Sequence, residues 1–428
     1  MPSSAPAEYF LSAGNPVANV DQRELEDLAM RVFERPEVCA ARKRALGLWL
    51  AVTDHDAPSE ARALAEEAID EYCFNYTLKA ANSDANHPKV LRLLVQPGAW
   101  FGRAVRGSRL GGDNPDNCYR VIPIEHGAQY EITGHACTEP ASDVTWTLVG
   151  NNSTSKTLAS LEHRNVVANA QGRFTITVDA EHAGSRNNHL QSQRGVKWLF
   201  VRDSMGDWAR QTPNALRVRR ITPPSAAALT EAEVAQRAVD IMIEDVPITF
   251  WFTRLNFAMP PNTLTPPQST GKVGGLISQW TSIARIVLAD DEAYVVTANA
   301  ADATYRHFVV NDWWYRSIDP WHCQSSLNNA AMTPDADGQY TYVVALRDPG
   351  VHNWIDTGGL HQTYAIHKWQ GLPADMSPDR VPRIRGRVVK FDELRHILPA
   401  DTRWITAAER RQQLAERANA FARRFIDR

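Results

Sequence analysis

The sequence predicts an α+β fold that is mainly β. It reads as two antiparallel β-sandwich or jelly-roll-like units with an N-terminal helical section, a bridging helix and a C-terminal helix. Three observations carry this reading. The chain has 428 residues and 47.8 kDa, more than one ordinary core holds, so two or three domains are expected. Its texture alternates along its length between apolar residues at helical spacing and β-branched, aromatic runs of period two. No helix-length segments separate the strand runs, which argues against βαβ units. The expected divisions are a helical section (1–110), a first β unit (111–224), a helical bridge with a Pro-rich loop (225–275), a second β unit (276–390) and a C-terminal helix (391–428).

In order along the chain, Leu25, Leu28 and Val32 recur at helical spacing, with Asp21 and Glu24 placed as a capping pair. Helix is expected again over 38–53 and 59–80, the second striped by Ala61, Leu64, Ala65, Ala68 and Tyr72, before the glycine-rich stretch from Gly107 to Gly112. Six runs then read as strands: 119–124, 129–135, 144–150, 174–178, 197–202 and 216–221. Thr230 with Glu233 forms a capping box for a helix to Asp245, with Val234, Ala238, Ile241 and Met242 on one face. The stretch from Asn256 to Gly275, with two Pro-Pro pairs, reads as an ordered functional loop. Strands follow at 293–298, 305–312, 340–346, 363–369 and 384–389. Thr406 with Glu409 caps the last helix, whose Leu414, Ala418, Phe421 and Phe425 form its apolar face. Its arginines, Arg410, Arg411, Arg417, Arg423, Arg424 and Arg428, read as a solvated face.

Composition excludes several classes. Hydrophobic residues at 43% and charged residues at 22% are globular values, not those of a disordered chain. Lys+Arg 46 against Asp+Glu 49 leaves −3, so no basic field exists for nucleic acid or an anionic membrane. The five cysteines are scattered without a C-x-x-C, the default being reduced thiols in a cytoplasmic protein. The N-terminus lacks the charged and apolar regions of a signal peptide, and no stretch is long and apolar enough to span a membrane. Asn152-Ser153-Thr154 matches a glycosylation sequon and is read as a polar loop.

Nucleophile-elbow, P-loop, dinucleotide and H-E-x-x-H motifs are all absent. His361 and His367 are about 20 Å apart along one strand, too far to share a metal. His182 and His189 flank a Gly-Ser-Arg-Asn-Asn loop and are read as having no acidic partner nearby in sequence. Asp335-x-Asp337-Gly338 resembles a calcium loop but lacks the closing Glu, so it reads as a turn before Tyr340. No metal ligand and no cofactor is assigned.

Several motifs, in order from about 110 to 372, resemble those of a bacterial family classed as domain of unknown function 1214. They are Gly112-Asp113-Asn114-Pro115-Asp116-Asn117-Cys118-Tyr119-Arg120, Arg202-Asp203-Ser204-Met205-Gly206-Asp207-Trp208 and Gly274-Gly275-Leu276-Ile277-Ser278-Gln279. Further matches are Asp290-Asp291-Glu292-Ala293, Ser325-Ser326-Leu327-Asn328 and Asp335-Ala336-Asp337-Gly338. The most specific runs from Asp348 to Gly359 and is followed by Lys368-Trp369-Gln370, where the family commonly has Arg before the Trp. The resemblance implies two β-sandwich units with helical additions and no agreed chemistry, so function rests on the residues.

Three clusters stand out. In the first, Asp116, Tyr119 and Arg120 bring a carboxylate, a phenol and a guanidinium to the mouth of a strand; the competing reading is turn chemistry from Asn114, Pro115 and Asn117. One of Tyr119 and Arg120 faces each side of the sheet, so at most one joins Asp116. In the second, His352 is the natural acid or base near neutral pH and Asp356 could hold its tautomer, while Asn353 and Trp354 read as parts of a rigid corner. In the third, Trp313-Trp314-Tyr315, Trp321-His322 and Phe250-Trp251-Phe252, with Arg254 and Asn256, suggest an aromatic pocket between domains or the glue that joins them.

The resulting expectation is a cytoplasmic, cofactor-independent acid–base enzyme of lyase, isomerase or hydrolase type. His352, Asp356, Asp116 and Tyr119 would act as catalytic groups; Arg120, Arg254, Asn256, Trp313, His322 and Trp354 would bind substrate. The substrate would be a small, partly apolar, oxygenated metabolite, aromatic or terpenoid-like, in an interdomain cleft. No nucleic acid or membrane partner is expected, and a homodimer is compatible with the sequence. The alternatives are a non-catalytic binding or assembly protein and a metal-assisted hydrolase built from dispersed histidines.

Overall fold

The structure, a computed structural model, describes residues 8–53, 57–150, 156–273 and 275–425. The glycosylation sequon, Gly274, Arg428 and the side chain of Phe252 lie outside what it describes. It has the expected α+β, mainly β architecture.

Four helices open the chain: α1 (Val20–Phe33), α2 (Pro36–Thr53), α3 (Ser59–Ala63) and α4 (Ala65–Ala81). The N-cap of α1 is Asn19, whose Oδ1 accepts from the Gln22 amide at 2.9 Å, not Asp21. Asp21 is taken by other donors, the Tyr9 hydroxyl at 2.7 Å and the Val90 amide at 3.0 Å. From Glu71 onward α4 is buried on every side, which makes it the core helix of the N-terminal section. Helix gives way to strand at β1 (Leu91–Leu93), well before the glycine-rich stretch, and a hairpin of β2 (Gly98–Trp100) and β3 (Arg103–Val105) follows.

The first sandwich adds β4 (Asn117–Pro123), β5 (Tyr130–His135), β6 (Asp143–Val149), β7 (Thr157–Glu162), β8 (Arg173–Asp179), β9 (His189–Gln191), β10 (Trp198–Ser204) and β11 (Ala215–Arg220). Its sheets run β1-β4-β10-β6-β7 and β11-β5-β8-β9. Helix α5 (Glu231–Phe257) starts at the expected capping box but continues through Pro247, so the aromatic run at 248–252 is helical. Buried Val246, Thr249, Thr253 and Phe257 continue its inner face past the proline, and that packing outweighs the lost amide hydrogen bond. Next come β12 (Gln268–Ser269), β13 (Gln279–Val287), β14 (Glu292–Ala298), β15 (Tyr305–Asn311), β16 (Ser326–Asn328), β17 (Tyr340–Ala345), β18 (Trp354–Asp356), β19 (Gln362–Gln370) and β20 (Ile384–Lys390). Two helices close the chain, α6 (Leu394–Ile397) and α7 (Ala407–Ala422).

The second sandwich has sheets β12-β13-β19-β15-β16 and β20-β14-β17-β18. Taken in chain order, its strands occupy the places of β1 and β4–β11 one for one. Even the exceptions to antiparallel pairing correspond, β8 with β9 and β17 with β18. The same topology thus occurs twice.

The two five-stranded sheets face each other across the middle of the molecule. Strand β19 turns Ala365, His367 and Trp369 into its own sandwich core and Tyr364, Ile366, Lys368 and Gln370 toward the first unit. Strand β10 turns Phe200, Arg202 and Ser204 the other way, so that Ser204 reaches Gln370. The N-terminal helices attach to the second unit through Trp314, whose indole donates to the Ala61 carbonyl at 2.7 Å.

Helix α7 corrects the reading of its arginines as a solvated face. Arg410 pairs with Asp348 at 3.0 Å, Arg417 donates to the Ser326 carbonyl at 3.0 Å, and Arg424 donates to the Pro115 carbonyl. The helix is latched to both units by guanidinium groups.

Candidate functional site

The loop before β4 folds as its turn chemistry dictates. Asn114 Oδ1 accepts from the Asp116 amide at 2.9 Å and the Asn117 amide closes on the Asn114 carbonyl at 3.0 Å. This delivers Asp116 to a fully buried junction of three segments. Its carboxylate accepts from the Trp208 indole at 2.7 Å, the Tyr305 hydroxyl at 2.5 Å and the Asn328 amide at 3.0 Å. Burial raises its pKa, against those donors and Arg424. So well bonded, Asp116 is a tie between units and not an open acid or base.

Arg120 faces the opposite side of the sheet from Tyr119. It pairs with buried Asp203 inside the first sandwich and donates to the Asn214 carbonyl, which makes it scaffold and removes it from the expected substrate-binding set. Tyr119 faces the second unit; its oxygen accepts from the Asn114 amide at 3.1 Å, and burial pushes the phenol up to about 12.

His352 and Asp356 do not form the expected dyad. The His352 ring lies beside the Gln413 amide at 3.4 Å and hydrogen-bonds the Ala331 backbone; burial, with Arg403 and Arg410, holds it down at about 4. The Asp356 carboxylate accepts from the Gly358 amide at 2.8 Å and from the Cys323 thiol. Trp354 is core, donating to the Ala345 carbonyl at 3.1 Å under Arg410, and Asn353 satisfies backbone groups of Thr333 and Thr341. The segment is the rigid corner that was the competing reading.

The expected aromatic pocket also divides. Arg254 reaches the Val52 carbonyl at 3.2 Å on the α5 surface. His322 is largely exposed, paired with Asp319 at 2.6 Å, and lines a separate recess of about 440 Å³ with Gln96, Arg109, Trp321 and Phe425. Trp313 stacks on Phe257 at 4.8 Å, and Asn256 hydrogen-bonds Tyr315, which meets Tyr364 edge-on. These last two therefore stand at one end of the layer between the facing sheets. His189 has an acidic partner after all, Asp179 at 3.6 Å. His361 is held by Glu60 and Asp290.

What the chain assembles in that layer is a polar stripe that motif reading passed over. Across the first sheet, Tyr119 on β4, Arg202 on β10 and Thr145 on β6 are in register. Across the second, Thr281 on β13, Lys368 on β19, His307 on β15 and Asn328 on β16 are in register. Residues directly opposite in antiparallel pairs share a face, so each row presents its side chains together. His307 is wholly buried, its ring stacked on Tyr305 at 5.7 Å, with neither nitrogen bonded; Thr145 Oγ1 is likewise unpartnered. Burial, Lys368 and His367 hold the imidazole neutral, far below its usual pKa. Arg202 and Lys368 keep part of their surface accessible. Burial, Arg202 and the opposing pull of Asp113 and Asp116 set Lys368 at about 8. The signal available in sequence was the outward-facing alternation of 364, 366, 368 and 370, a charge set among core-like residues of a central strand. Among the described residues, no three His, Cys, Asp or Glu side chains group to hold a metal ion.

No family model and no curated protein matches the chain. A crystal structure of an uncharacterised protein from Burkholderia cenocepacia aligns with 86% of this chain and 100% of its own, at 22% identity and a TM-score of 0.69, a likeness of fold. A Vibrio parahaemolyticus protein aligns with 76% of this chain and 99% of its own, at 13% identity and a TM-score of 0.40. No helix is long and apolar enough to cross a membrane among the described residues.

Proposed function

We propose that the chain is an acid–base enzyme of lyase, isomerase or hydrolase type, working without an organic cofactor on a small, partly apolar, oxygenated metabolite held between the facing sheets. The observation that carries this is His307: a buried, neutral imidazole with both nitrogens unbonded, in register with a lysine of depressed pKa. Native proteins seldom bury polar atoms unsatisfied, and such groups concentrate where function uses them. A neutral imidazole offers one N–H and one lone pair, so it can take a proton from one substrate atom and return it to another. Tyr119 and Lys368 supply donors for substrate oxygens. Trp313, Asn256 and Tyr364 close one end of the layer with the aromatic surface that a partly apolar substrate needs. The catalytic assignment thus moves from His352 and Asp356 to His307, while Tyr119 is retained.

The non-catalytic reading draws on Asp116, which joins the units with every donor matched. The metal-assisted reading lacks a supporting cluster among the described residues. We also propose membership of the domain of unknown function 1214 family, on the ordered motifs, and a cytoplasmic location, which five unpaired cysteines support.

The test is a ligand search on the full chain by native mass spectrometry and crystallography, followed by turnover of the ligand found. Density between Tyr119 and His307, with His307→Asn folded but at least about 100-fold slower, is the expected result. A ligand seated only in the His322 recess, or full activity in His307→Asn, rejects the assignment.

A further inference from the structure

Arg202 and Lys368 occupy equivalent positions, each two residues before the last of the equivalent strands β10 and β19. The Arg202 guanidinium lies 3.9 Å over the Phe200 ring and gives one hydrogen bond, to Thr147 Oγ1 at 3.3 Å. Among the described residues, Lys368 makes no hydrogen bond, and neither cation pairs with a carboxylate. A guanidinium has five N–H donors and an ammonium three, so most of this capacity is unspent. The carboxylates that reach Lys368 through space are committed elsewhere, Asp113 to Ser317 and Asp116 to Trp208, Tyr305 and Asn328.

Elsewhere in the same interior buried cations are satisfied, either by carboxylates, as Arg120 with Asp203, Arg109 with Glu71 and Arg316 with Asp312, or by backbone carbonyls, as Arg92, Arg417 and Arg424. A layer that only joined two sandwiches would gain nothing from bringing two like charges together in a poorly hydrated place, where each destabilises the other. Their flanks are apolar, Phe200, Ile283 and Ile366.

We propose that Arg202 and Lys368 form an anion subsite that takes the carboxylate of a small organic acid, with the apolar remainder of that acid against Phe200, Ile283 and Ile366. The inference rests on reading the layer as the substrate site and names the substrate class for it. A planar carboxylate matches a guanidinium fork with one added ammonium donor. A phosphate, with more oxygens to satisfy, asks for donors that Phe200, Ile283 and Ile366 lack.

The experiment uses the full chain with three probes: benzoate, its neutral isostere benzamide, and inorganic phosphate, titrated by calorimetry. Benzoate is expected to bind saturably. Its affinity should fall at least tenfold in Arg202→Met and in Lys368→Met and stay within about threefold in Lys368→Arg, which keeps the charge; benzamide should bind weakly throughout. A measurement on the unaltered protein covers variants that fail to fold. With lysines carrying ¹³C-methyl labels, the Lys368 signal should titrate at least one pH unit higher when benzoate is bound. Absent benzoate binding, binding indifferent to both methionine variants, an unmoved Lys368 titration, or preference for phosphate each overturns the proposal. If benzoate behaves as expected while His307→Asn keeps full turnover, the anion subsite stands and the acid–base assignment falls. If benzoate fails while His307→Asn abolishes turnover of a neutral substrate, the reverse holds.

Discussion

The Ser204 hydroxyl donates to Gln370 Oε1 across 2.9 Å, joining the last residue of β10 to the last residue of β19. These strands hold the same place in two sandwiches of identical strand order, so this contact lies where an axis exchanging the units would pass. Gln370 is held from the other side by its own Nε2, which donates to Gln279 Oε1 at 2.8 Å. The position of the site follows: the rows of Arg202 and Lys368 come next along the strands and therefore face each other across the same axis.

Breaking that contact should loosen the two units. Ser204→Ala leaves a buried acceptor with one partner fewer and is expected to cost about 1–2 kcal/mol, read from urea unfolding. Combined with Gln370→Ala, the two effects should couple by about 1 kcal/mol. Strictly additive losses would mean that the bond does not join the sandwiches in solution.

Arg120 separates scaffold from site. Its partner Asp203 also accepts from the Asn214 side-chain amide at 2.8 Å, and the whole group is buried in the first sandwich. Removing one member of a buried ion pair strands the other, so Arg120→Ala is expected to cost about 3–5 kcal/mol. Ligand affinity per folded molecule should be unchanged, measured by calorimetry at a temperature where the variant remains folded. A selective loss of affinity with intact stability would return Arg120 to the site.

Glu26 should give the fold a pH dependence. Its carboxyl accepts from the Gln22 amide and the Trp100 indole, both at 2.8 Å, yet burial pushes it up to about 7. The folded protein then keeps a proton that the unfolded chain releases near the ordinary carboxyl value. Native chains bind more protons over that window, so this contribution to stability is present at low pH and is lost as pH rises from about 4.5 toward 7. The loss should be about 3 kcal/mol. Glu26→Gln, compared with the parent by urea unfolding at about pH 5 and about pH 8, should flatten the slope; an unchanged difference between the two conditions would contradict the assignment.

Much of the fold was legible because its signals are local. The strands around 119–124, 144–150 and 363–369 declare themselves by β-branched and aromatic runs, and the capping boxes at Thr230 and Thr406 are both formed. Strand β13 was not legible: Thr281, Ser282 and Arg285 place polar groups on both faces, which hides its period of two. The repeated topology was hidden too, since equivalent segments such as Arg202-Asp203-Ser204 and Lys368-Trp369-Gln370 share little beyond charge at one position. The candidate site was the least legible part. Motif density pointed to His352 and Asp116, which are held by the corners and ties that make such motifs specific. His307 and Lys368 lie on two strands, β15 and β19, that meet only once the register is known.

The arginines of α7 show what a period adds to a count. Arg410 and Arg417 are spaced by seven, two turns, and so lie on one side of the helix; Arg424 follows in the turn just past Ala422, while Arg411 and Arg423 are exposed. Arg417 is the middle latch. It donates to the Pro320 carbonyl at 3.3 Å, the Ser326 carbonyl at 3.0 Å and Ser326 Oγ at 2.8 Å, and lies 4.2 Å over the Trp208 ring. Arg417→Met keeps the apolar stem and removes these bonds, leaving two backbone carbonyls without that donor. The expected cost is about 2–3 kcal/mol, with faster amide exchange concentrated in α7 and little change in the strands. Arg411→Ala, as the matched control, should stay within about 0.5 kcal/mol. If the two variants behave alike, the row is a solvated face after all, and Phe421 and Phe425 alone hold the helix down.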